Sequence, residues 1–119
     1  MANFCLQLKA IVTNARCEAV VEEHVQFDTD LPEFRTHGGV HSGHGGRVTS
    51  PTLMWVKALD LLLDRIKVTG VDLSSVVAIS GSGQQHGSVY WRIGARQTLT
   101  NLKHDRSVFL LSHIWPIYF

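Results

Sequence analysis

Cysteine is scarce in this chain: Cys5 and Cys17 are its two thiols in 119 residues. One pair builds no disulfide framework and supplies no zinc quartet, so a reducing compartment is expected, the cytoplasm in the simplest case. An excess of charge of one sign is also missing. Eleven Lys and Arg stand against ten Asp and Glu, a net +1, which gives no field to attract nucleic acid or an anionic membrane. No apolar run reaches the ~18 residues of a membrane span. The opening residues Met1–Lys9 carry no basic segment leading into a long apolar stretch, which argues against a secretory leader. No internal repeat is visible. What is present is 45% hydrophobic residues against 18% charged, too apolar for a disordered tail and ordinary for one domain or part of one.

Two segments alternate with a period of two. Residues 7–13 put Leu8, Ala10 and Val12 on one face. From Cys17 to Phe27 the apolar positions are Cys17, Ala19, Val21, Val25 and Phe27, with Glu18, Glu22, His24 and Gln26 between them. Val20 and Glu23 swap faces. Asn14-Ala15-Arg16 separates the two runs, and the pair predicts a β-hairpin. Residues 28–49 read as a long loop: Asp28, Asp30 and Pro32 break the strand, and five glycines follow at 38, 39, 43, 45 and 46. Loops of that length within a domain are usually functional or mobile.

The clearest element follows. Ser50 is placed to cap a helix and Pro51 suits its first position. Trp55, Ala58, Leu59, Leu62 and Ile66 form a stripe at helical spacing, Lys57, Asp60, Asp64 and Lys67 form the opposite face, and Gly70 is a stop. Val76-Val-Ala-Ile79, wholly apolar between Ser75 and Ser80, predicts a central strand covered on both faces. Gly81-Ser-Gly-Gln-Gln-His-Gly87 continues it, and Ser88–Arg92 predicts a further strand. This order is that of an α/β fold with a mixed sheet. The tail Val108–Phe119 has nine apolar residues in twelve; it reads as a core strand, an interfacial segment or an appended sequence.

Three groups of residues could carry chemistry. Gly81, Gly83 and Gly87 are spaced one residue too far for the dinucleotide fingerprint, and no helix pattern follows. The loop nevertheless leaves the carboxyl end of the predicted strand, where open α/β sheets bind ligands. Gln84, Gln85 and His86 offer amides and an imidazole suited to sugar hydroxyls; the alternative is a tight turn with surface glutamines. His37, His41 and His44 could ligate zinc or copper, or belong to a flexible His/Gly loop. His24, His104 and His113 stand alone. Ser80 and Ser82 lie outside a nucleophile elbow, and neither cysteine has a histidine-rich context. Asp60 and Asp64 read as a solvated helix face among lysines, and Trp55 and Trp91 as core residues.

Several motifs now combine: Phe27-Asp-Thr-Asp-Leu-Pro-Glu-Phe34, His37-Gly-Gly-Val40, Thr49-Ser-Pro51, Met54-Trp-Val-Lys-Ala-Leu-Asp60 and Ser80-Gly-Ser-Gly-Gln-Gln-His-Gly-Ser-Val-Tyr-Trp91. In this order they resemble the amino-terminal region of the xylulose kinases, within the FGGY carbohydrate kinases, from about Ile11 to about Leu102. The resemblance implies residues 1–102 as part of a ribonuclease-H-like (actin-like ATPase) domain lacking its first strand, followed by a divergent apolar tail, 103–119. It implies an activity of the longer family proteins, ATP- and Mg2+-dependent phosphorylation of D-xylulose at C5. The residues that carry over are His86, matching the family's sugar-binding histidine, and Gln85 beside it. No catalytic, nucleotide-binding or metal-binding residue carries over. The family's Asp-x-Ser/Thr phosphate loop, its general-base aspartate and its second domain have no counterpart here. Phosphoryl transfer needs such parts together, so no turnover and no tight ATP or Mg2+ binding are expected of this chain alone. The ends read as those of a truncated form whose exposed apolar faces favour self-association. Two further readings stay open: a non-catalytic binding module, working through residues 108–119, and a His-loop metal binder.

Overall fold

The computed structural model describes residues 6–83, 87–100 and 117–118. Strands β1 (Gln7–Thr13) and β2 (Ala19–Gln26) pair antiparallel as the predicted hairpin. On β1, Leu8, Ala10 and Val12 turn toward the interior and alternate with exposed neighbours, as their spacing requires. The turn is longer than predicted. Cys17, expected to begin the strand, sits instead in the left-handed region with φ 61°. The Asn14 side chain explains this: its Oδ1 accepts from the backbone amides of Arg16 and Glu18 at 2.9 and 3.1 Å, an Asx-type turn that occupies residues 14–18.

Helix α2 (Thr52–Val68) lies across the hairpin. Its buried row is Met54, Ala58, Leu62 and Ile66, each four residues from the next. With Val25, Phe27 and Leu31 these side chains make the core, flanked by Leu8, Ala10, Val12, Phe34, Trp55, Leu61 and Val71. The predicted stripe was right at Ala58, Leu62 and Ile66. Leu59 is a correction: it is exposed, because the row that meets the hairpin begins at Met54, which has no solvent contact. Gly70 ends the helix at φ +86°, its amide donating to the Lys67 carbonyl at 3.1 Å. The helix start also differs from expectation. Ser50 does not cap it, because its hydroxyl donates to the Gly39 carbonyl at 2.8 Å. Pro51 takes the cap position with extended backbone, and its carbonyl accepts the Met54 amide.

The predicted loop 28–49 contains short elements too brief to show a period. A single turn α1 (Phe27–Asp30) and a 3-10 turn (Pro32–Phe34) lead into β3 (His41–Ser42), a 3-10 turn (His44–Gly46) and β4 (Val48–Ser50). Strand β4 lies between β3 and β5 (Ile117–Tyr118) in a second antiparallel sheet. Beyond α2 come a 3-10 turn (Leu73–Ser75) and a short helix α3 (Ala95–Thr100).

Among the described residues the fold is therefore a mixture of helices and two small sheets, and both of these sheets are antiparallel. The predicted mixed sheet and central strand are corrected. Val76–Ile79 forms no strand, and Val77 and Ile79 are 98% and 92% exposed. A strand apolar on both faces is stable only between neighbours and under cover, and the described residues offer this segment neither. Ser88–Arg92 forms no strand either, and Trp91, expected in the core, is exposed. The ribonuclease-H-like arrangement is not visible in these elements. Among the described residues no helix is long and apolar enough to cross a membrane.

Candidate functional site

The glycine-rich run reaches solvent. Gly81, Ser82 and Gly83 are exposed and without regular structure, as are Gly87 to Arg92. Gln84, Gln85 and His86, the residues predicted to meet a sugar, lie outside the described residues. A Cβ added at Gly81 or Gly83 would meet nothing within 4 Å. Their small size is thus not demanded by any neighbour among the described residues, which leaves room for a ligand or another segment to approach the backbone.

The best-organised polar cluster lies elsewhere, around Asp28. Turn α1 follows β2 directly and swings this carboxylate beneath residues 36–39. Asp28 accepts from the Thr36 hydroxyl at 2.7 Å, the Gly38 amide at 2.6 Å and the Gly39 amide at 3.1 Å. Both glycines have positive φ, 66° and 73°, a conformation that lets consecutive amides converge on one acceptor. Burial pushes the Asp28 carboxyl up, but the Thr36 hydroxyl, the two amides and the nearby His37 outweigh it. The group sits below the ordinary carboxylate value of 3.8. Thr36 and Ser50 are buried polar side chains, and each has its partner. The loop His37–Val40 is closed by the His37 amide donating to the Val40 carbonyl at 3.0 Å. Sequence reasoning took Asp28 only as a strand breaker. The signal available was an aspartate followed ten residues later by two adjacent glycines.

A second carboxylate, Asp30, accepts from the Gln26 amide at 2.7 Å and from Arg65 Nη1 at 3.1 Å. The Arg65 bond is the main reason that its pKa lies below 3.8, with the Gln26 amide next; the same bond raises Arg65. Arg65 also donates to the His24 carbonyl, so it ties α2 to the end of β2. Glu33 and Lys57 pair at 3.2 Å, with the ammonium 5.5 Å from the centre of the Phe34 ring. Asp64 pairs with Lys67 at 3.0 Å on the solvated helix face, as its spacing predicted.

The three histidines of the glycine loop do not come together as a ligand set. His41 Nε2 lies 2.8 Å from the Phe34 carbonyl, His44 is in the exposed 3-10 turn, and His37 faces solvent beside the Asp28 cluster. Among the described residues no three His, Cys, Asp or Glu side chains converge to hold a metal ion.

Comparison with known proteins supplies what the geometry does not. No protein-family profile matches the chain. The chain is 54% identical over 98 residues to a xylulose kinase of Rattus norvegicus, a match covering 81% of this chain and 18% of that protein. It is 45% identical over 103 residues to xylulose kinase 2 of Arabidopsis thaliana, covering 85% and 18%. With the xylulose kinase of Saccharomyces cerevisiae it shares 39% over 113 residues, covering 95% and 19%. The chain is therefore homologous to xylulose kinases over most of its own length, and it spans less than a fifth of theirs.

Proposed function

We propose that this chain is the amino-terminal piece of an ATP-dependent carbohydrate kinase acting on D-xylulose. It contributes part of the sugar-binding surface through His86 and Gln85 and transfers no phosphate by itself. One observation carries this reading: identity of 54% with the rat protein over 98 aligned residues, 81% of this chain. The chemistry of the Gly81–Gly87 run agrees with it, since two glutamine amides and an imidazole can donate to and accept from vicinal hydroxyls.

ATP and Mg2+ belong to the longer relatives' reaction. The described residues do not fit such a group. Asp28 and Asp30 already accept backbone, hydroxyl and guanidinium donors. Asp64 is paired with Lys67, and Asp72 accepts from the amide and hydroxyl of Ser74. The chain's residues in this reading bind and orient the sugar, while charge stabilisation and proton removal fall to polypeptide it does not contain.

The test is a thermal melt of the purified chain with and without millimolar D-xylulose, repeated on His86→Ala, with xylitol and D-glucose as comparison sugars. A ligand raises the midpoint only by binding the folded state. A rise with D-xylulose that is lost in His86→Ala supports the reading. Equal response to all three sugars, or an unchanged response in His86→Ala, overturns the assignment of that residue.

A further inference from the structure

Two residues of the apolar tail are seated on the fold, and the kinase reading gives them no role. Ile117 and Tyr118 form β5, which runs antiparallel beside β4 with Tyr118 opposite Thr49 and Ile117 opposite Ser50. The other edge of β4 is taken by β3, where His41 lies opposite Thr49 and Ser42 opposite Val48. Each neighbour of β4 thus contributes two residue pairs, and so short a ladder is marginal without both. A line of bonds leads inward from this strand. The hydroxyl of the buried Ser50 donates to the Gly39 carbonyl at 2.8 Å. The Gly39 amide donates to Asp28 at 3.1 Å, and the same carboxylate holds the Gly38 amide and the buried Thr36 hydroxyl.

We infer that the edge of β4 is a strand-addition site whose occupant is this chain's own Ile117–Tyr118, a strap that braces the Asp28 cluster through Ser50 and Gly39. The register commits to that occupant, since β5 meets β4 at Thr49 and Ser50. Isoleucine and tyrosine both favour the extended backbone of a sheet. The strap goes beyond the kinase reading and does not depend on it. Two pairs hold it, so it opens locally while the hairpin and α2 stay folded. Once lifted, it leaves β4 with unpaired backbone groups along one edge, the arrangement that accepts another extended segment. Its loss also frees the Ser50 backbone, and the hydroxyl that steadies Gly39 then has no fixed position.

The test uses the full 119-residue chain with Cys5 and Cys17 replaced by serine. Thr49→Cys with Tyr118→Cys places two thiols on directly opposed residues, within the Cα separation that a disulfide spans. Val48→Cys with Tyr118→Cys is the control, because successive strand positions point to opposite faces. Mild oxidation, read by peptide mass spectrometry, should cross-link the first pair within one chain at least about tenfold faster than the second. Equal rates, or no cross-link in either, overturn the strap. Cross-links that join two chains overturn it as well and assign the edge to a second copy. Amide hydrogen exchange supplies a readout free of these substitutions, comparing the full chain with one lacking residues 117–119. The strap predicts exchange at least about threefold faster in residues 48–50 and at Gly39, with Val21 and Val25 of β2 unchanged, as for a local opening. Unchanged exchange in residues 48–50 refutes the strap, and faster exchange there with Gly39 unmoved refutes its hold on the Asp28 cluster. Equal acceleration in β2 marks a loss of global stability and overturns the local brace.

Discussion

Replacing Asp28 by alanine removes the acceptor that gathers Thr36, Gly38 and Gly39. Three hydrogen bonds disappear at once, and the buried Thr36 hydroxyl keeps only a weak contact with the Met54 sulfur at 3.7 Å. Bonds to a charged acceptor contribute about 1.5–3 kcal/mol each when isolated, but they share one carboxylate and water can reach the freed amides. The expected loss is therefore about 2–3 kcal/mol, not the sum of three. In a domain of this size that lowers the melting temperature by roughly 10–20 °C. Urea unfolding followed by circular dichroism gives the value directly, with the slope unchanged if the unfolded state is unaltered. The pH dependence provides a second check. The folded-state pKa of Asp28 lies below its ordinary 3.8, so the stability it lends is complete above that value. It fades as pH falls from 3.8 through the lower folded value. The gap between the parent chain and Asp28→Ala must narrow over that interval and stay constant above it. A variant within about 0.5 kcal/mol of the parent at neutral pH, the range of ordinary surface changes, would refute the clamp.

Other substitutions probe the remaining contacts. Leu62→Ala, at a position 3% exposed in the core row of α2, should cost about 2–4 kcal/mol by urea unfolding. Gly70→Ala places a side chain at φ +86° with open space around it, so strain alone should destabilise by about 1 kcal/mol, and Gly70→Asn by less. Arg65→Met keeps the stem and removes the contacts to Asp30 and the His24 carbonyl. It should raise the Asp30 pKa, measured by carboxyl NMR titration, and move the acid unfolding midpoint upward, because less of the native state's preference for the ionised form remains.

The hairpin and α2 were legible because their signals repeat. Leu8, Ala10 and Val12 alternate on one strand, and Ala58, Leu62 and Ile66 recur at four-residue steps. The stretch 28–49 was not, because single contacts between distant residues set its structure. Asp28 organises Gly38 and Gly39, and Ser50 spends its hydroxyl on the Gly39 carbonyl. A residue pattern shows which groups could bond and leaves open which ones do. Val76–Ile79 failed as a strand for a different reason. Its composition states that it belongs inside, but burial of both faces depends on neighbours, and the described part of this chain supplies none. His86 and Gln85 were reached through resemblance; spacing alone gave a polar loop and stopped there.

The central claim is that these residues form a working part of a xylulose-binding kinase. The direct measurement is kcat/KM for D-xylulose in a rat kinase chimera carrying this chain's matched residues, beside the same chimera with His86→Ala. The account predicts an active chimera whose kcat/KM falls at least about tenfold when the imidazole's hydrogen bond to substrate is lost, a difference of about 1.4 kcal/mol. A soluble, folded chimera without activity, or one whose kcat/KM is indifferent to His86→Ala, would contradict it.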